Sequence, residues 1–446
     1  MAGSYEDAVS ELLANGPELA VFLRFNLDSI TRLAAALGNP ERRLLAVLIA
    51  GTNGKGSTAA TLAGIVQAAG YRTGLYTSPH LLQINERIQI NQEPISNAEF
   101  AEIYDRVQSA SLQLIQRGTL SSHPSFFEML TAMMFEYFAS AGVELAIVEA
   151  GMGGTDDATN IVDPILSIIT DVDFDHEDYL GKTLREIAAK KSGIIRSNAP
   201  VVLLPQHPEV NDTLGNAILE KNARPVSATK HMPPLTPGSH NYFAHKANQV
   251  PRAVFPLLFM GKEILVNSPL VGRHQLRNIA LAITAAEQLN SCGYKILPTH
   301  VEEGTQNTKW PARFQVFLSG ADFPEAVLDV AHNPAGAWAL RSTLSALYAD
   351  RLLTLIFGCM RDKHVKEIIQ ILFPCAERVI VTRADHPRAM PARDIALAAE
   401  DMGVMTTTAE TVREAVKLAR SMPIPGEVLV ITGSFPIVKD GLELLR

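Results

Sequence analysis

The stretch LLAVLIAGTNGKGSTAATLAGIV, residues 44–66, restricts the fold more than any other part of this 446-residue chain. Its continuous apolar run suits a strand buried on both faces, and the segment after the glycines has the spacing of a helix. A strand that enters a helix through a glycine turn reads as a phosphate-binding loop. The common spacing, G-x-x-x-x-G-K-[ST], sets the hydroxyl directly after the lysine, whereas here Gly56 separates Lys55 from Ser57. Gly51, Gly54 and Gly56 are expected to let the backbone turn tightly and aim N–H groups at phosphate oxygens. A helix starting near Ser57 adds its positive end. Lys55 then brings charge to the β- and γ-phosphates, and Ser57, with Thr58 beside it, a hydroxyl for Mg²⁺. The loop by itself names no reaction, and a glycine-rich turn with an incidental lysine would look much the same.

The rest of the chain repeats the strand-then-helix pattern. The apolar runs LAIVEA, ILSIITDV and PVVLLP alternate with TAATLAGIVQAAG and FFEMLTAMMFEYFASAG, which predicts a mostly parallel sheet covered by helices on both faces. From about Pro205 to Pro269 the pattern gives way to loops containing Pro and His, with short β-like pieces such as RAVFPLLFMGKEILVN. These read as peripheral strands, after which the helix HQLRNIALAITAAEQLN returns to the first domain. A second alternation, RFQVFL, EAVLDVA, LLTLIFG, RVIVTRA and EVLVITG, follows a break near CGYKILPTH, so the expected domains are residues 1–296 and 297–446. The length, with 47% hydrophobic residues, suits two or three packed cores and makes disorder a poor reading. A formal net charge of −8 gives no overall reason to bind nucleic acid or an anionic membrane. Three scattered cysteines, Cys292, Cys359 and Cys375, are too few for a disulfide framework or a structural zinc site. The N-terminus shows no basic segment followed by an apolar one, and no run is long enough to span a bilayer, so a cytoplasmic protein is expected.

From AGTNGKGST into YTSPHLLQINERI the chain resembles the folylpolyglutamate synthase/dihydrofolate synthase family, a branch of the Mur-type ATP-dependent amide ligases. The likeness continues in family order through FFEMLTAMMFEYF, VEAGMGGTDDATN, ITDVDFDHEDYLGKTLREIAAKKSGII, GRHQLRNIALA, TKWPARFQ and LDVAHNPAG. It implies an α/β chain, with an N-terminal P-loop-type domain built on a mostly parallel sheet and a C-terminal Rossmann-like α/β domain. It also implies ATP in the cleft between the domains, and two Mg²⁺ ions.

Individual residues gain roles through that resemblance. The loop Thr52, Asn53, Gly54, Lys55, Gly56 and Ser57 becomes the nucleotide site. Glu149 ends a strand at the carboxyl edge of the sheet, where ligands collect, and its hard oxygen suits Mg²⁺. His176 matches the family's imidazole ligand to the second Mg²⁺, although a histidine among acids is more often an ion-paired surface residue. Ser78, in TSPH, matches a hydroxyl that reaches metal. Lys191, in AAKKSGII, matches a lysine that the family carbamylates with CO₂. Attack on CO₂ needs a neutral amine, hence a pKa lowered by desolvation or by nearby positive charge. Its neighbour is Lys190, where the family usually has an acid. Asn278 in HQLRN, Arg313 in KWPARFQ and Asp329 in LDVAHN match positions that contact ATP. Arg313 suits phosphate, and Asp329 closes a strand where a carboxylate can accept from ribose hydroxyls. His332 is a looser candidate for adenine, and TGSFPIV for the glutamate end.

The pteridine-binding segments of the family fall on RFNL at residues 24–27, on Ser125, Phe126, Phe127 and Glu128, and on Asp156, Asp157 and Ala158. Phe127 could stack on the flat ring and Asp157 accept from its amino and N–H groups, while aromatic residues at helical spacing are more often core. Where the family usually reads G-G-R-L-D-A-T-N, this chain has Thr155 and Asp156 in place of Arg and Leu.

The implied reaction transfers the γ-phosphoryl group of ATP to a carboxylate and lets the amine of L-glutamate displace phosphate from the acyl phosphate. Lys55, Lys191 and His176 are expected to carry that chemistry. The family makes dihydrofolate from dihydropteroate, or lengthens the glutamate tail of tetrahydrofolate, and its members are usually monomers. Two alternatives stay open. A Mur-type cell-wall amino acid ligase would share the loop, glutamate, histidine and lysine. The altered GGTDD and KKSG motifs also suit a non-catalytic or regulatory ATP-binding homologue.

Overall fold

The computed structural model describes residues 3–14, 26–234, 242–244, 249–320 and 324–446. Contacts divide the chain into two units. The first is Met1–Met232, Leu257–Ile264 and Asn278–Lys309, the second Pro233–Pro256, Leu265–Arg277 and Trp310–Arg446. The expected boundary at Ile296 lies inside the first unit, whose last helix, Pro298–Gln306, packs on the helix Lys55–Ala68 with Gly64 facing Gly304.

Eight strands form the sheet of the first unit: β1 Ala46–Ala50, β2 Thr73–Tyr76, β3 Ile88–Ile90, β4 Glu93–Pro94, β5 Leu145–Glu149, β6 Leu166–Ile169, β7 Pro200–Leu203 and β8 Arg224–Ser227. Their order is β4-β3-β2-β5-β1-β6-β7-β8. From β2 to β8 in that order every pairing is parallel, while β3 turns back on β2 and β4 on β3. Every residue of β1, β5 and β6 is buried, which is why each reads as an unbroken apolar run. The helices Tyr5–Ala14, Asp28–Ala36, Asn97–Gln116 and Phe126–Ser140 share one core with the sheet, filled by Leu12, Leu33, Phe100, Tyr104 and Phe135.

The structure differs from the sequence reading after Pro205. A helix, Pro208–Glu220, and β8 continue the first sheet there, where loops and peripheral strands were expected. The helix buries only Val210, Leu214 and Ile218. Three apolar positions four residues apart make a narrow stripe that a window full of polar residues hides. Next comes a three-stranded sheet in the order β11-β10-β9, made of β9 Phe243–Ala244, β10 Arg252–Phe259 and β11 Lys262–Ser268.

The sheet of the second unit runs β12-β13-β17-β14-β15-β16, from β12 Gln315–Phe317, β13 Glu325–Asp329, β14 Leu353–Phe357, β15 Arg378–Val381, β16 Thr407–Thr408 and β17 Val428–Thr432. All pairings are parallel except β12 with β13. Among the described residues no helix is long and apolar enough to cross a membrane.

Candidate active site

Between β1 and the helix Lys55–Ala68 lies the glycine turn. The helix begins at Lys55, so Gly56 is a buried residue of its first turn and takes no part in the loop. Gly54 precedes it with φ 89°, and a Cβ there would overlap the side chain of Asn278. Only glycine lets this backbone adopt a left-handed turn and Asn278 lie against it. Two N–H groups of the loop are already engaged within the protein. Thr52 and Asn53 both donate their N–H to Asp171 O, at 2.7 and 3.2 Å. Thr52 Oγ1 also donates to Asp173 O and accepts from Asp173 N. The turn is thus braced against the loop after β6. The N–H groups of Lys55, Gly56 and Ser57, in the first turn of the helix, are the ones left without an acceptor inside it. Ser57 is buried, and so is Thr58, whose hydroxyl has no hydrogen-bond partner among the described residues.

A set of charges gathers around that turn. Lys55 Nζ donates to Thr52 O at 3.2 Å and lies 3.9 Å from Glu149 Oε1. Glu149 is 3% exposed, and its other oxygen accepts from Ser78 N at 3.2 Å. Lys191 is equally buried and donates from Nζ to Gly51 O at 2.7 Å. Burial, with the charge of Lys55 adding to it, lowers the Lys191 pKa from 10.5 to about 7, against the opposing pull of Asp175 and Asp157. A large share of this amine is therefore neutral near neutral pH. His176 opens the short helix Glu177–Leu180 in the left-handed region, at φ 50°. Its Nε2 lies 3.7 Å from Asp175 Oδ2, in the same loop that braces the glycine turn. Among the described residues no three of His, Cys, Asp and Glu converge as a metal-holding group.

At the pteridine segments the structure engages most of the polar atoms in local bracing. Ser125 and Glu128 form a capping box at the start of Phe126–Ser140, with Glu128 accepting from Ser125 N and Oγ. Phe126 is buried, with the Arg87 guanidinium 5.3 Å from its ring centre. Phe127 tilts against Tyr76 and rests on the backbone of Gly151. Asp157 accepts from Met152 N at 2.7 Å and from Thr159 N and Oγ1, and burial pushes its pKa up against these hydrogen bonds. Ala158 is buried beside it. Asp156 pairs with Lys190 at 2.6 Å, while Thr155 donates from both N and Oγ1 to Lys190 O. The two departures from the family pattern are therefore partners. Arg24 and Phe25, in the RFNL segment, lie outside the described residues. The sequence reading did not single out Arg87, which is 1% exposed and donates from Nε to His80 Nδ1 at 2.9 Å. Its signal was present in the SPHLLQINERI motif, but nothing in the spacing marks a buried cation.

In the second unit Arg313 lies between two rings, 5.7 Å from that of Trp310 and 5.3 Å from that of Phe435. Asp329, at the end of β13, accepts from Phe314 N at 2.8 Å and Ala331 N at 2.9 Å, and burial raises its pKa to about 6. His332 Nδ1 is 2.9 Å from Val330 O, and its ring faces Phe435. At the carboxyl ends of β15 and β17 the hydroxyls of Thr382, Thr432 and Ser434 are buried without a hydrogen-bond partner among the described residues.

Comparison with known proteins gives this arrangement a lineage. Residues 49–286 match the Mur ligase middle domain, and residues 312–435 the Mur ligase glutamate ligase domain. The chain is 32% identical to the dihydrofolate synthase/folylpolyglutamate synthase of Bacillus subtilis over 451 aligned residues, covering all of both chains. It superposes on Mycobacterium tuberculosis folylpolyglutamate synthase, crystallised with ADP and AMPPCP, with a TM-score of 0.85 and 33% identity over 98% of this chain and 97% of that one. An FPGS–AMPPCP–folate complex matches with a TM-score of 0.82 and 27% identity over 99% of each chain. The chain belongs to the dihydrofolate synthase/folylpolyglutamate synthase family of Mur ligases.

Proposed function

We propose that this chain joins L-glutamate to a pteridine acid with conversion of ATP to ADP and phosphate, the acid being dihydropteroate or the γ-carboxylate of tetrahydrofolate. The observation that carries the reading is Lys191, a nearly solvent-free amine on Gly51 O, at the same glycine turn as Lys55 and Glu149.

A carboxylate is a poor acyl donor. Its oxygen attacks the γ-phosphorus of ATP, the bond to the β-phosphate oxygen breaks, and ADP leaves an acyl phosphate behind. The glutamate amine then attacks the acyl carbon, and the tetrahedral intermediate collapses with loss of phosphate and a proton. Lys55 and the N–H groups of Lys55, Gly56 and Ser57 face the charge on the transferring group. Asn278, Arg313 and Asp329 are assigned to the nucleotide, with Thr52, Asn53 and Gly54 shaping the turn. Phe127 and Asp157 are assigned to the pteridine, with Asp157 already held by its loop. The hydroxyls of Thr432 and Ser434, without a hydrogen-bond partner among the described residues, suit the polar end of glutamate.

Neutral Lys191 is able to add CO₂, forming an N–C bond and losing one proton, which converts a buried amine into a carboxylate. Ser57, Ser78, Glu149, His176 and the carbamate of Lys191 would hold Mg²⁺, an ion that takes few protein ligands and fills its shell with water and phosphate. Two such ions would offset charge on the phosphoryl group. A buried hydroxyl at Thr58 with no hydrogen-bond partner among the described residues and a buried carboxylate beside Lys55 support that fit. The case for a non-catalytic homologue rested on the altered motifs, and it weakens because Asp156 and Lys190 neutralise each other. We expect a monomer working in the cytoplasm.

The test is phosphate release from ATP with dihydropteroate, tetrahydrofolate and a UDP-linked muramyl acid offered in turn, each with L-glutamate. Release with at least one pteridine is expected. Release with the muramyl acid alone, or with none, would overturn the reading.

A further inference from the structure

Arg313 sits in the middle of an unusual turn. Ala312 and Phe314, on either side of it, both have positive φ, 58° and 49°. Side-chain-bearing residues rarely adopt this region, and two of them within three positions persist only when their surroundings hold them there. Three hydrogen bonds do so. Gln315 Oε1 accepts from Ala312 N at 3.0 Å, Asp329 Oδ2 accepts from Phe314 N at 2.8 Å, and Ala312 O accepts from Val330 N at 3.2 Å. The second oxygen of Asp329 anchors Ala331 N, which fixes the carboxylate itself. The product of this bracing is a guanidinium seated between Trp310 and Phe435.

We propose that Gln315 and Asp329 are positioning residues. Together they hold the Ala312–Phe314 turn in its left-handed form, and through that turn they set the placement of Arg313 and hence the affinity for nucleotide. The inference rests on the assignment of Arg313 to ATP. It gives Asp329 a task that its two backbone hydrogen bonds already display, and it gives Gln315, the last residue of TKWPARFQ with no role assigned to it, a part in binding.

Gln315 offers the cleaner test because it has no assigned contact with any ligand. In Gln315→Leu the nucleotide KM should rise roughly 3- to 10-fold, with kcat within about twofold of the parent value. Ala312→Gly in that background should restore the KM, since glycine adopts φ 58° without the side-chain penalty and needs less bracing. A purely structural Gln315 would lower the melting temperature and leave the KM unmoved. That result, or failure of Ala312→Gly to restore binding, overturns the proposal. Arg313→Ala, measured alongside, separates the two layers. Weak binding in Arg313→Ala beside normal binding in Gln315→Leu removes the positioning role alone. Normal binding in Arg313→Ala removes the assignment of Arg313 and the proposal with it.

Discussion

The carboxyl edges of the two main sheets each present a cation, and they hold it in opposite ways. At β1 the cation is a lysine deprived of water. Lys191 lies on a single carbonyl in a setting that lowers its pKa to about 7 and makes it a candidate nucleophile toward CO₂. At β13 the cation is an arginine, which stays charged at any ordinary pH and is oriented by aromatic faces and a strained backbone. Desolvation tunes reactivity, whereas bracing tunes direction.

The largest effect expected at the first edge comes from Lys55→Ala. Removing one preorganised donor to the transferring group should cost roughly 10²–10³ in turnover, with the circular dichroism of the fold unchanged. Near-parental phosphate release would break the assignment. Lys191→Met comes next and tests desolvation directly. The unfolded chain keeps the lysine proton up to about pH 10.5 and the folded one releases it near 7. Between those values the unfolded state binds more protons, so parental stability climbs as pH rises from about 7 toward 10.5. Lys191→Met should lose that climb, be more stable than the parent by a few kcal/mol at pH 6, and lose turnover. Parallel stability curves for the two proteins would show that Lys191 is not a buried, proton-shedding amine. At the second edge, Arg313→Lys should fail to rescue nucleotide affinity, because a point charge cannot reproduce the planar group that lies against the rings of Trp310 and Phe435. Full rescue would mean that charge alone suffices there.

The same contrast explains what the sequence disclosed. Fully buried strands such as β1, β5 and β13 announce themselves as apolar runs, and a strand ending in Glu149 or Asp329 marks a ligand edge. The helix Pro208–Glu220 was hidden by its three-residue apolar stripe. At the candidate site, residue types and motifs picked out the segments, but the partners of those residues were beyond reach. No spacing rule brings Asp171 to Thr52, 119 positions away, or reveals that Ser125 and Glu128 cap a helix as they flank Phe126. The need for a neutral Lys191 followed from chemistry, whereas its cause, burial on Gly51 O, depends on tertiary packing.

The smallest effect expected concerns the pair that the family pattern made conspicuous. Asp156 and Lys190 meet at 2.6 Å, with side chains 32% and 45% exposed, so solvent screening limits the pair to about 0.2–1 kcal/mol. Its location matters more than its strength. Lys190 precedes Lys191, Asp156 precedes Asp157, and the Thr155 bonds to Lys190 O tie the two segments together independently of charge. If the pair only staples the loop, Asp156→Asn and Lys190→Gln should each change turnover by less than about fivefold, and the double variant should match either single one. If its role is charge balance next to Lys191, the singles should diverge. Losing Asp156 leaves an extra cation near the buried amine and favours its neutral form, whereas losing Lys190 leaves an extra anion and disfavours it. The pH profile of turnover should then shift toward lower pH in Asp156→Asn and toward higher pH in Lys190→Gln, with the double variant returning to the parental profile. Shifts of the same sign in both singles would rule out charge balance and leave the hydrogen-bonded staple as the reason these two departures occur together.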